Sequence, residues 1–391
     1  MNRQLLQEAK NIEKELIQWR HSLHRIPESG LHLPQTAAFI KEQLTNMGIT
    51  FQEYKTCSCI TAVLGTGDKC FLLRSDMDGL PIPEESCEPF ASKNGCMHAC
   101  GHDLHATILL GAARLLKAHE SELKGQVKLL FQPGEETFDG AKAAVDAGVL
   151  ENPHVNAAFA MHVASVLPAG SIIYGTSPMA AVYGFRMILT GKGTHGSTPH
   201  LGIDPINTGV HLYLALQELI SREVSPTEEA VLTIGRFEAG KVSNVIPERA
   251  VLEGTLRTFK PEIRNLLISR IREVAESISK TYRTDLKFEV LSDVPPVSCD
   301  KTLNEEILSS IRNLDETLNL LPSYHVMGSE DFAFISEKVP SSYFGLGAAI
   351  KDKSQWFGQH NPKVRFTDTC LTTGAAIYAK TALDWLSRHR S

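Results

Sequence analysis

The chain has 391 residues. Domains usually span ~100–200 residues, so we expect two of them. Hydrophobic residues make up 42% and charged residues 21%, the ordinary composition of a globular protein. The formal net charge of −6 argues against nucleic-acid and membrane-surface binding, and no apolar run approaches the ~18 residues that a membrane span needs. The eight cysteines are too sparse for a secreted disulfide scaffold, so we expect reduced thiols and a cytoplasmic location.

The N-terminal segment predicts one amphipathic helix, because apolar residues recur every three or four positions. These residues are Leu5, Ala9, Ile12, Leu16, Trp19 and Leu23. The segment carries charge throughout and has no apolar core stretch, so it does not resemble a signal peptide.

Strands and helices alternate after the N-terminal helix. Strands are predicted at 61–67, 70–76, 125–132 and 157–163, and helices at 104–119 and 140–147. This βαβ rhythm is typical of a largely parallel sheet covered by helices. It therefore predicts an α/β fold.

The middle of the chain follows a different order. Its predicted elements are a strand at 183–192, a helix at 205–222, strands at 230–240 and 249–259, a helix at 261–282 and a strand at 285–291. The order β-α-β-β-α-β is that of a ferredoxin-like module. After Pro295 and Pro296 the α/β pattern resumes, with a strand at 341–347. We therefore predict that a second domain, residues 182–293, is inserted into a discontinuous first domain of residues 1–181 and 294–391.

Two motifs supply candidate metal ligands and a candidate base. Cys100 and His102 flank Gly101 just before a predicted helix, and two side chains in such a turn can converge on one cation. The alternative is a pair of inert structural residues. Glu135 and Glu136 directly follow a predicted strand, where one could bind a metal while the other accepts a proton. Taken alone, they could equally form a solvated acidic turn.

Further candidates follow other strands or lie in polar turns. His162 ends a predicted strand and His360 lies in a polar turn, and each taken alone is more typical of a structural or surface histidine. Asp76 and Asp78 could bind a metal directly, but the cysteine, the glutamate and three histidines already supply enough ligands. We therefore expect these two carboxylates to orient the ligating histidines. All of these candidates are predicted to lie at one edge of the same sheet, which favours a single site over separate structural roles. Their mixed sulfur, nitrogen and oxygen donors suit Zn²⁺, Mn²⁺ or Co²⁺.

The predicted inserted domain adds three polar candidates. His195 lies in a glycine-rich turn and could stabilise an oxyanion, or it could simply belong to a helix-entry loop. Arg257 could hold a substrate carboxylate through two hydrogen bonds, or it could be a solvated strand residue. Asn244 lies between two predicted strands. Residues 327–332 could line a cleft or cap a helix, and the pattern does not separate these roles.

The ordered motifs resemble the M20 metallopeptidase family, in particular its aminoacylase, hippurate-hydrolase and auxin-conjugate-hydrolase branch. They run in order from about residue 15 to 385. The motifs that carry the resemblance are RSDMDGLPIPEE, MHACGHDLHA, FQPGEE, MHV, GKGTHGSTPHLGIDPI, SNVIPE, GTLRTF, MGSEDF and QHNP. The resemblance implies a zinc-peptidase-like catalytic domain with an inserted ferredoxin-like lid or dimerisation domain.

The resemblance also implies roles for individual residues. Glu135 matches the general base, and His195, Asn244 and Arg257 match substrate-binding residues of the lid. The implied cofactor is a pair of divalent ions, Mn²⁺ or Zn²⁺, with Co²⁺ and Ni²⁺ as alternatives. The implied ligands of these ions are Cys100, His102, Glu136, His162 and His360.

The expected activity is hydrolysis of the amide bond of small N-acyl amino acids by a homodimer associated through the lid. Cys100 favours acyl-amino-acid substrates over peptides, because the carboxypeptidase branch of the family has a histidine or carboxylate there. Alternatives are a dipeptidase, a deacetylase of the N-acetyl-diaminopimelate type, and a metal-binding or amino-acid-binding protein without activity. A thiol redox protein built on Cys96 and Cys100 is disfavoured, because their spacing is not C-x-x-C.

Overall fold

The computed structural model describes residues 2–322 and 324–390, which group into two compact units. Unit 1 comprises Met1–Pro178, Val297–His325 and Asp331–Ser391, and unit 2 comprises Met179–Pro296 and Val326–Glu330. The short segment Val326–Glu330 groups with unit 2, whereas the sequence pattern placed it in the first domain. The reason is backbone pairing, since the N–H of Ala180 donates to the carbonyls of Val326 and Gly328.

The helices are distributed over both units. They are α1 (Asn2–Asn11), α2 (Glu13–His24), α3 (Pro34–Asn46), α4 (His102–Ala118), α5 (Gly140–Asp146), α6 (Pro205–Glu218), α7 (Pro261–Tyr282), α8 (Lys301–Leu314), α9 (Ala333–Ser336) and α10 (Cys370–Arg388). Across the described residues, none of them combines the length and the apolar character needed to cross a lipid bilayer.

The strands form one large sheet in unit 1 and two smaller sheets in unit 2. They are β1 (Phe51–Glu53), β2 (Ile60–Gly65), β3 (Cys70–Asp76), β4 (Gln126–Gln132), β5 (Ala157–Pro168), β6 (Ser171–Ile173), β7 (Ala181–Thr190), β8 (Thr194–His195), β9 (Ala230–Ala239), β10 (Val245–Ile246), β11 (Arg249–Thr258), β12 (Asp285–Val294), β13 (Asn319–Leu321) and β14 (Ser341–Ala349).

The sheet of unit 1 has the strand order β1-β2-β4-β3-β5-β14-β6-β13. Its centre is parallel, since β4, β3, β5 and β14 run in the same direction, whereas β1 and β2 pair antiparallel with their neighbours, and β6 pairs antiparallel with β14 but parallel with β13. Every residue of β3 is buried, as expected for a central parallel strand covered on both faces. The predicted α/β fold with a largely parallel sheet is confirmed.

The N-terminal segment forms two helices where the apolar pattern predicted one. The chain turns at Ile12, whose N–H donates to the carbonyl of Ala9, and α2 begins at the next residue. The apolar pattern itself is correct about burial, because Leu5, Leu16 and Leu23 are buried in the core of unit 1. The prediction of a single continuous helix was therefore wrong, although the buried face continues across the turn.

Unit 2 contains a four-stranded antiparallel sheet in the order β12-β7-β11-β9. Helices α6 and α7 pack on this sheet, and residues such as Leu212, Leu216, Leu267 and Ile271 form a core with the strands. The chain order β7-α6-β9-β11-α7-β12 is that of a ferredoxin-like module. The short strands β8 and β10 form a separate two-stranded sheet.

Candidate metal centre

The neighbouring parallel strands β4 and β3 end at one edge of the unit 1 sheet, whereas β5 continues past that edge to Pro168, so His162 lies inside a strand and not at its end as the sequence predicted. β3 ends at Asp76, and β4 ends at Gln132, shortly before Glu135 and Glu136. β5 carries His162, which aligns with Gly345 of β14. Because open α/β sheets place their sites beyond the carboxyl ends of the strands, the fold brings these side chains to a favoured position.

The turn before α4 places Cys100 and His102. Gly101, the N-cap of α4, has φ +91°, in the left-handed region that glycine adopts without strain. Its carbonyl accepts the N–H groups of Leu104 and His105, which starts the helix directly after the turn. Both flanking side chains are buried, with the Cys100 sulfur 3.3 Å from Nε2 of His162.

Asp78 links the His102 ring to the Glu136 backbone. Its Oδ1 lies 3.2 Å from Nδ1 of His102, and its Oδ2 accepts the N–H of Glu136 at 3.1 Å. Burial alone would lower the pKa of His102, but the carboxylates of Asp76 and Asp78 raise it well above its usual value. Because Asp78 contacts Nδ1, the other ring nitrogen of His102, Nε2, points away from Asp78. This is the arrangement expected for a carboxylate that orients a ligating histidine.

His360 reaches the same place from the C-terminal part of the chain. Its Nε2 lies 3.3 Å from Oε1 of Glu136. Its backbone has φ +66°, an uncommon value for a residue with a side chain, and its N–H donates to the carbonyl of Ala99 at 3.0 Å. This hydrogen bond joins the His360 turn to the turn that carries Cys100.

The candidate ligands form overlapping groups whose donor atoms lie within 4.8 Å of one another. One group is Cys100, His102 and His162, and a second is Cys100, Glu136 and His360. Glu135 belongs to a third group with His102 and Glu136. The structure thus brings all five residues expected from the sequence together, with Glu135 beside them.

Asp76 and His105 make a separate contact behind these groups. Nδ1 of His105 lies 2.5 Å from Oδ1 of Asp76, and Nε2 of His105 accepts the N–H of Val163 at 2.8 Å. Both ring nitrogens of His105 are thus engaged, although His105 also groups with Asp76 and His102. The His105 ring packs against the ring of His162 with centroids 4.5 Å apart, so this pair supports a candidate ligand from behind.

The three remaining candidates lie in unit 2. His195 in β8 pairs with Val245 in β10, and Asn244 accepts the N–H of Gly196 through its carbonyl, so His195 and Asn244 are close neighbours on the surface. Arg257 in β11 is partly buried and donates to the carbonyl of Leu256. Among the described residues it has no acidic partner, and burial lowers the pKa of its guanidinium.

Comparison with known proteins identifies the family. The model of Peptidase family M20/M25/M40 matches residues 72–384. An N-acetyl-L-cysteine deacetylase of Bacillus subtilis is 36% identical, with 92% of this chain and 85% of the relative covered. An IAA-amino acid hydrolase of Arabidopsis thaliana is 35% identical, with 94% and 84% covered. The chain belongs to the M20 family. It is accordingly a metal-binding hydrolase that acts on amide bonds.

A solved structure supports the same assignment. A dinuclear metal-binding M20 peptidase of Bacillus subtilis superposes with a TM-score of 0.82 at 32% identity, covering 97% of this chain and 99% of the other. Of the buried side-chain atoms that lack a well-aligned hydrogen bond within the described residues, two lie at the candidate centre, Nε2 of His102 and Oε1 of Glu136. An unpaired buried polar atom costs ~1–3 kcal/mol, so these donors and the nearby thiol suit a bound cation.

Sequence reasoning missed a buried polar network that supports the centre of this M20 enzyme. Arg74 donates to Gln132 at 2.9 Å, to Asp76 at 2.8 Å and to Asp331 at 2.9 Å. Asp331 also accepts the N–H of Ala141 at 2.7 Å, at the start of α5. The available signal was a charged residue inside the otherwise apolar strand β3, since a buried arginine requires partners. The sequence left two roles open for residues 327–332, lining a cleft or capping a helix. Asp331 has the second role, because it accepts a backbone N–H in the first turn of α5.

A second buried network holds the first turn of α4. Arg20 and His24 of α2 donate to Oδ2 of Asp103 at 3.0 and 2.8 Å, and His24 also contacts Oε1 of Glu84 at 3.0 Å. Burial alone would lower the pKa of His24, but the carboxylates of Asp103 and Glu84 raise it to about 9. His24 is therefore expected to carry a positive charge in the folded enzyme at neutral pH.

The raised pKa of His24 predicts a loss of stability with rising pH. Since the folded pKa lies above the ordinary ~6.5, this contribution is complete below pH ~6.5 and is lost as the pH rises through about 9. The free energy of unfolding should fall by up to ~1.4 kcal/mol per pH unit in this window. Melting curves of the wild type and of His24→Gln test this, because glutamine cannot titrate. An equal slope in both proteins would contradict it.

Proposed function

We propose that this enzyme hydrolyses the amide bond of N-acyl amino acids, giving a carboxylic acid and a free amino acid. The observation that carries the proposal is the convergence of Cys100, three histidines and Glu136 beside Glu135 at one sheet edge. The relatives support the substrate class, because an N-acetyl-L-cysteine deacetylase and an IAA-amino acid hydrolase are both named for acyl derivatives of amino acids.

We propose two divalent ions, Mn²⁺ or Zn²⁺, with Co²⁺ and Ni²⁺ as alternatives. The residues that would hold them are Cys100, His102, Glu136, His162 and His360. Burial holds the pKa of His162 well below its usual range, so its imidazole is neutral, the form that binds metals. Such ions would polarise the amide carbonyl and lower the pKa of a bound water toward ~7.

Glu135 is the proposed general base and acid. Its carboxylate is buried, and its Oε2 lies 3.9 Å from Nε2 of His102. In the proposed reaction Glu135 takes a proton from the attacking water and returns it to the nitrogen of the leaving amine as the C–N bond breaks. The neighbouring Glu136 also lies 3.9 Å from Nε2 of His102, but its Oε1 lies 3.3 Å from Nε2 of His360 as well, so we assign Glu136 to metal binding and Glu135 to proton transfer.

Unit 2 is proposed to serve as a lid and dimerisation domain. Its helix α6 exposes Ile206, Val210 and Leu214, and its edge strand β9 exposes Val231 and Phe237. An apolar surface beside an unpaired strand edge favours association with a second copy. Light scattering on the purified enzyme tests the homodimer, and a monomer at all concentrations would contradict it.

Within unit 2, we assign His195 to the oxyanion and Asn244 and Arg257 to substrate binding. Arg257 suits the substrate carboxylate, because it is a partly buried cation with no acidic partner among the described residues. The residue beside it, Thr258, is buried, so the strand is well anchored in unit 2.

Replacing Arg257 with Ala should lower kcat/KM for N-acyl amino acids ~10–100-fold. This is the cost of losing a hydrogen bond to a charged group, ~1.5–3 kcal/mol. Substrates whose carboxylate is replaced by a carboxamide should be much less affected by the substitution. Steady-state kinetics with both substrate forms measures the difference. An equal loss for both forms would show that Arg257 does not bind the carboxylate.

A hydrolysis screen tests the proposed function. N-acetyl, N-benzoyl and longer N-acyl amino acids are offered to the enzyme with Mn²⁺, Zn²⁺, Co²⁺ or Ni²⁺ added back in turn after chelation. We expect release of the free amino acid with at least one metal, and none with the chelator alone. Turnover of dipeptides but of no N-acyl amino acid would contradict the proposal.

The cytoplasm is the proposed location of the enzyme. All eight cysteines are free, and the cytoplasm keeps thiols reduced.

A further inference from the structure

Unit 1 contains a second concave site that includes none of the candidate metal ligands. It is a cavity of about 620 Å³ lined by α8, the segment 174–177 that follows β6, and the residues Pro322, Tyr324 and His325. This volume lies in the range of small-molecule sites, ~300–1,000 Å³. The cavity therefore has the size for a metabolite of its own.

The charges of the cavity come from one face of α8. Lys301, Glu305, Leu308 and Arg312 recur at helical spacing and all line the cavity. Lys301 and Glu305 are exposed and one turn of α8 apart, with Cβ atoms ~5–6 Å from each other, and neither forms an ion pair within the described part of the chain. The cavity thus presents a free cation and a free carboxylate side by side.

The cavity walls that face α8 contain two tyrosines and are held in place by hydrogen bonds. Tyr174 and Tyr324 line the cavity, and the N–H of Tyr324 donates to the carbonyl of Tyr174 at 3.0 Å. Asn304 on α8 donates through Nδ2 to the carbonyl of Gly175 at 3.0 Å, which joins the helix to the facing wall. These bonds hold the cavity open in a defined shape, so little ordering is needed when a ligand binds.

We propose that this cavity binds a free, zwitterionic amino acid with an apolar or aromatic side chain. Glu305 receives the ammonium group and Lys301 the carboxylate, while the side chain packs against Leu308 and the two tyrosines. Arg312 lies eleven residues beyond Lys301, ~16 Å along the helix, too far to bind the same carboxylate. An N-acyl amino acid has no ammonium group for Glu305, so the cavity favours the free amino acid over its acylated form.

This inference goes beyond the proposed hydrolysis, which would supply such an amino acid but is not needed for binding. Isothermal titration of the metal-loaded enzyme with L-phenylalanine tests it, with 3-phenylpropionate and 2-phenylethylamine as analogues, and with N-acetyl-L-phenylalanine titrated into the metal-loaded Glu135→Gln variant so that it is not hydrolysed. We expect one binding event that Glu305→Gln or Lys301→Gln weakens at least ~10-fold, the scale of a lost charged hydrogen bond. The three analogues should be weaker in that event by a similar factor.

Matched controls separate this site from the metal centre. Glu13 and Lys14 of α2 are exposed charges of the same types outside the cavity, so Glu13→Gln and Lys14→Gln should leave the event unchanged. A crystal structure with L-phenylalanine should show the ligand in the cavity. Affinity that is unaffected by both α8 substitutions, equal binding of the analogues, or an empty cavity at saturating ligand would overturn the proposal. None of these readouts requires turnover, so a failed hydrolysis screen leaves the binding result interpretable.

Discussion

Glu135→Gln is expected to lower turnover of an N-acyl amino acid by at least ~10²–10⁴-fold, the usual contribution of a proton-transfer group. Glutamine has nearly the same size as glutamate and can still form hydrogen bonds, but it cannot accept a proton from water at neutral pH. Because Glu135 is 5% exposed, this isosteric change should leave the surrounding side chains in place. Steady-state kinetics measures the loss, and elemental analysis of the same sample should find the metal content unchanged.

The adjacent glutamate supplies the control for this experiment. Glu136→Gln is the same chemical change one residue away, but it alters the carboxylate whose Oε1 lies 3.3 Å from His360. We expect this variant to lose metal, and with it activity that added metal restores in part. Near-normal turnover in Glu135→Gln, or metal loss as large as in Glu136→Gln, would reject the assignment of Glu135 as the base.

The features that could be predicted most accurately from the sequence are those that a local residue pattern determines. The strand β3 and the helix α7 have the bounds expected from their apolar periodicity. The candidate ligands were also predictable, because most of them follow a strand or lie in a loop near one sheet edge, and His162 lies inside β5 level with the end of β3. The glycine between Cys100 and His102 was a further local signal, since a left-handed backbone at that point turns both side chains inward.

The parts that escaped prediction depend on contacts between distant residues. Arg74 pairs with Asp331, 257 positions away, and no periodicity within either segment reveals that partner. Lys128 lies inside the buried strand β4, and its ammonium donates to the carbonyls of Val149, Glu151 and Pro153. A charged residue in an apolar strand indicates that partners exist, but only the tertiary fold identifies them.

Gly101→Ala is expected to destabilise the enzyme by ~2–5 kcal/mol and to lower its metal content. A Cβ at this position would lie 2.5 Å from Cγ2 of Val163 and 3.2 Å from the ring of Phe366, both buried side chains. Overpacking of this kind costs ~1–3 kcal/mol, and the left-handed backbone adds ~1–2 kcal/mol for any residue with a Cβ. Val163 follows His162 directly, so relief of the clash must separate the turn of Cys100 and His102 from His162.

Gly95→Ala isolates the backbone part of this effect. Gly95 has φ +84°, close to that of Gly101, but a Cβ there would have no heavy atom within 4 Å. In Gly95→Ala the free energy of unfolding should fall only by the ~1–2 kcal/mol that a left-handed backbone costs a residue with a Cβ, and the metal content should be unchanged. Thermal melts and elemental analysis of both variants measure the two effects separately. If Gly101→Ala kept the metal content of Gly95→Ala, the spacing between the Cys100 turn and His162 would not control metal binding.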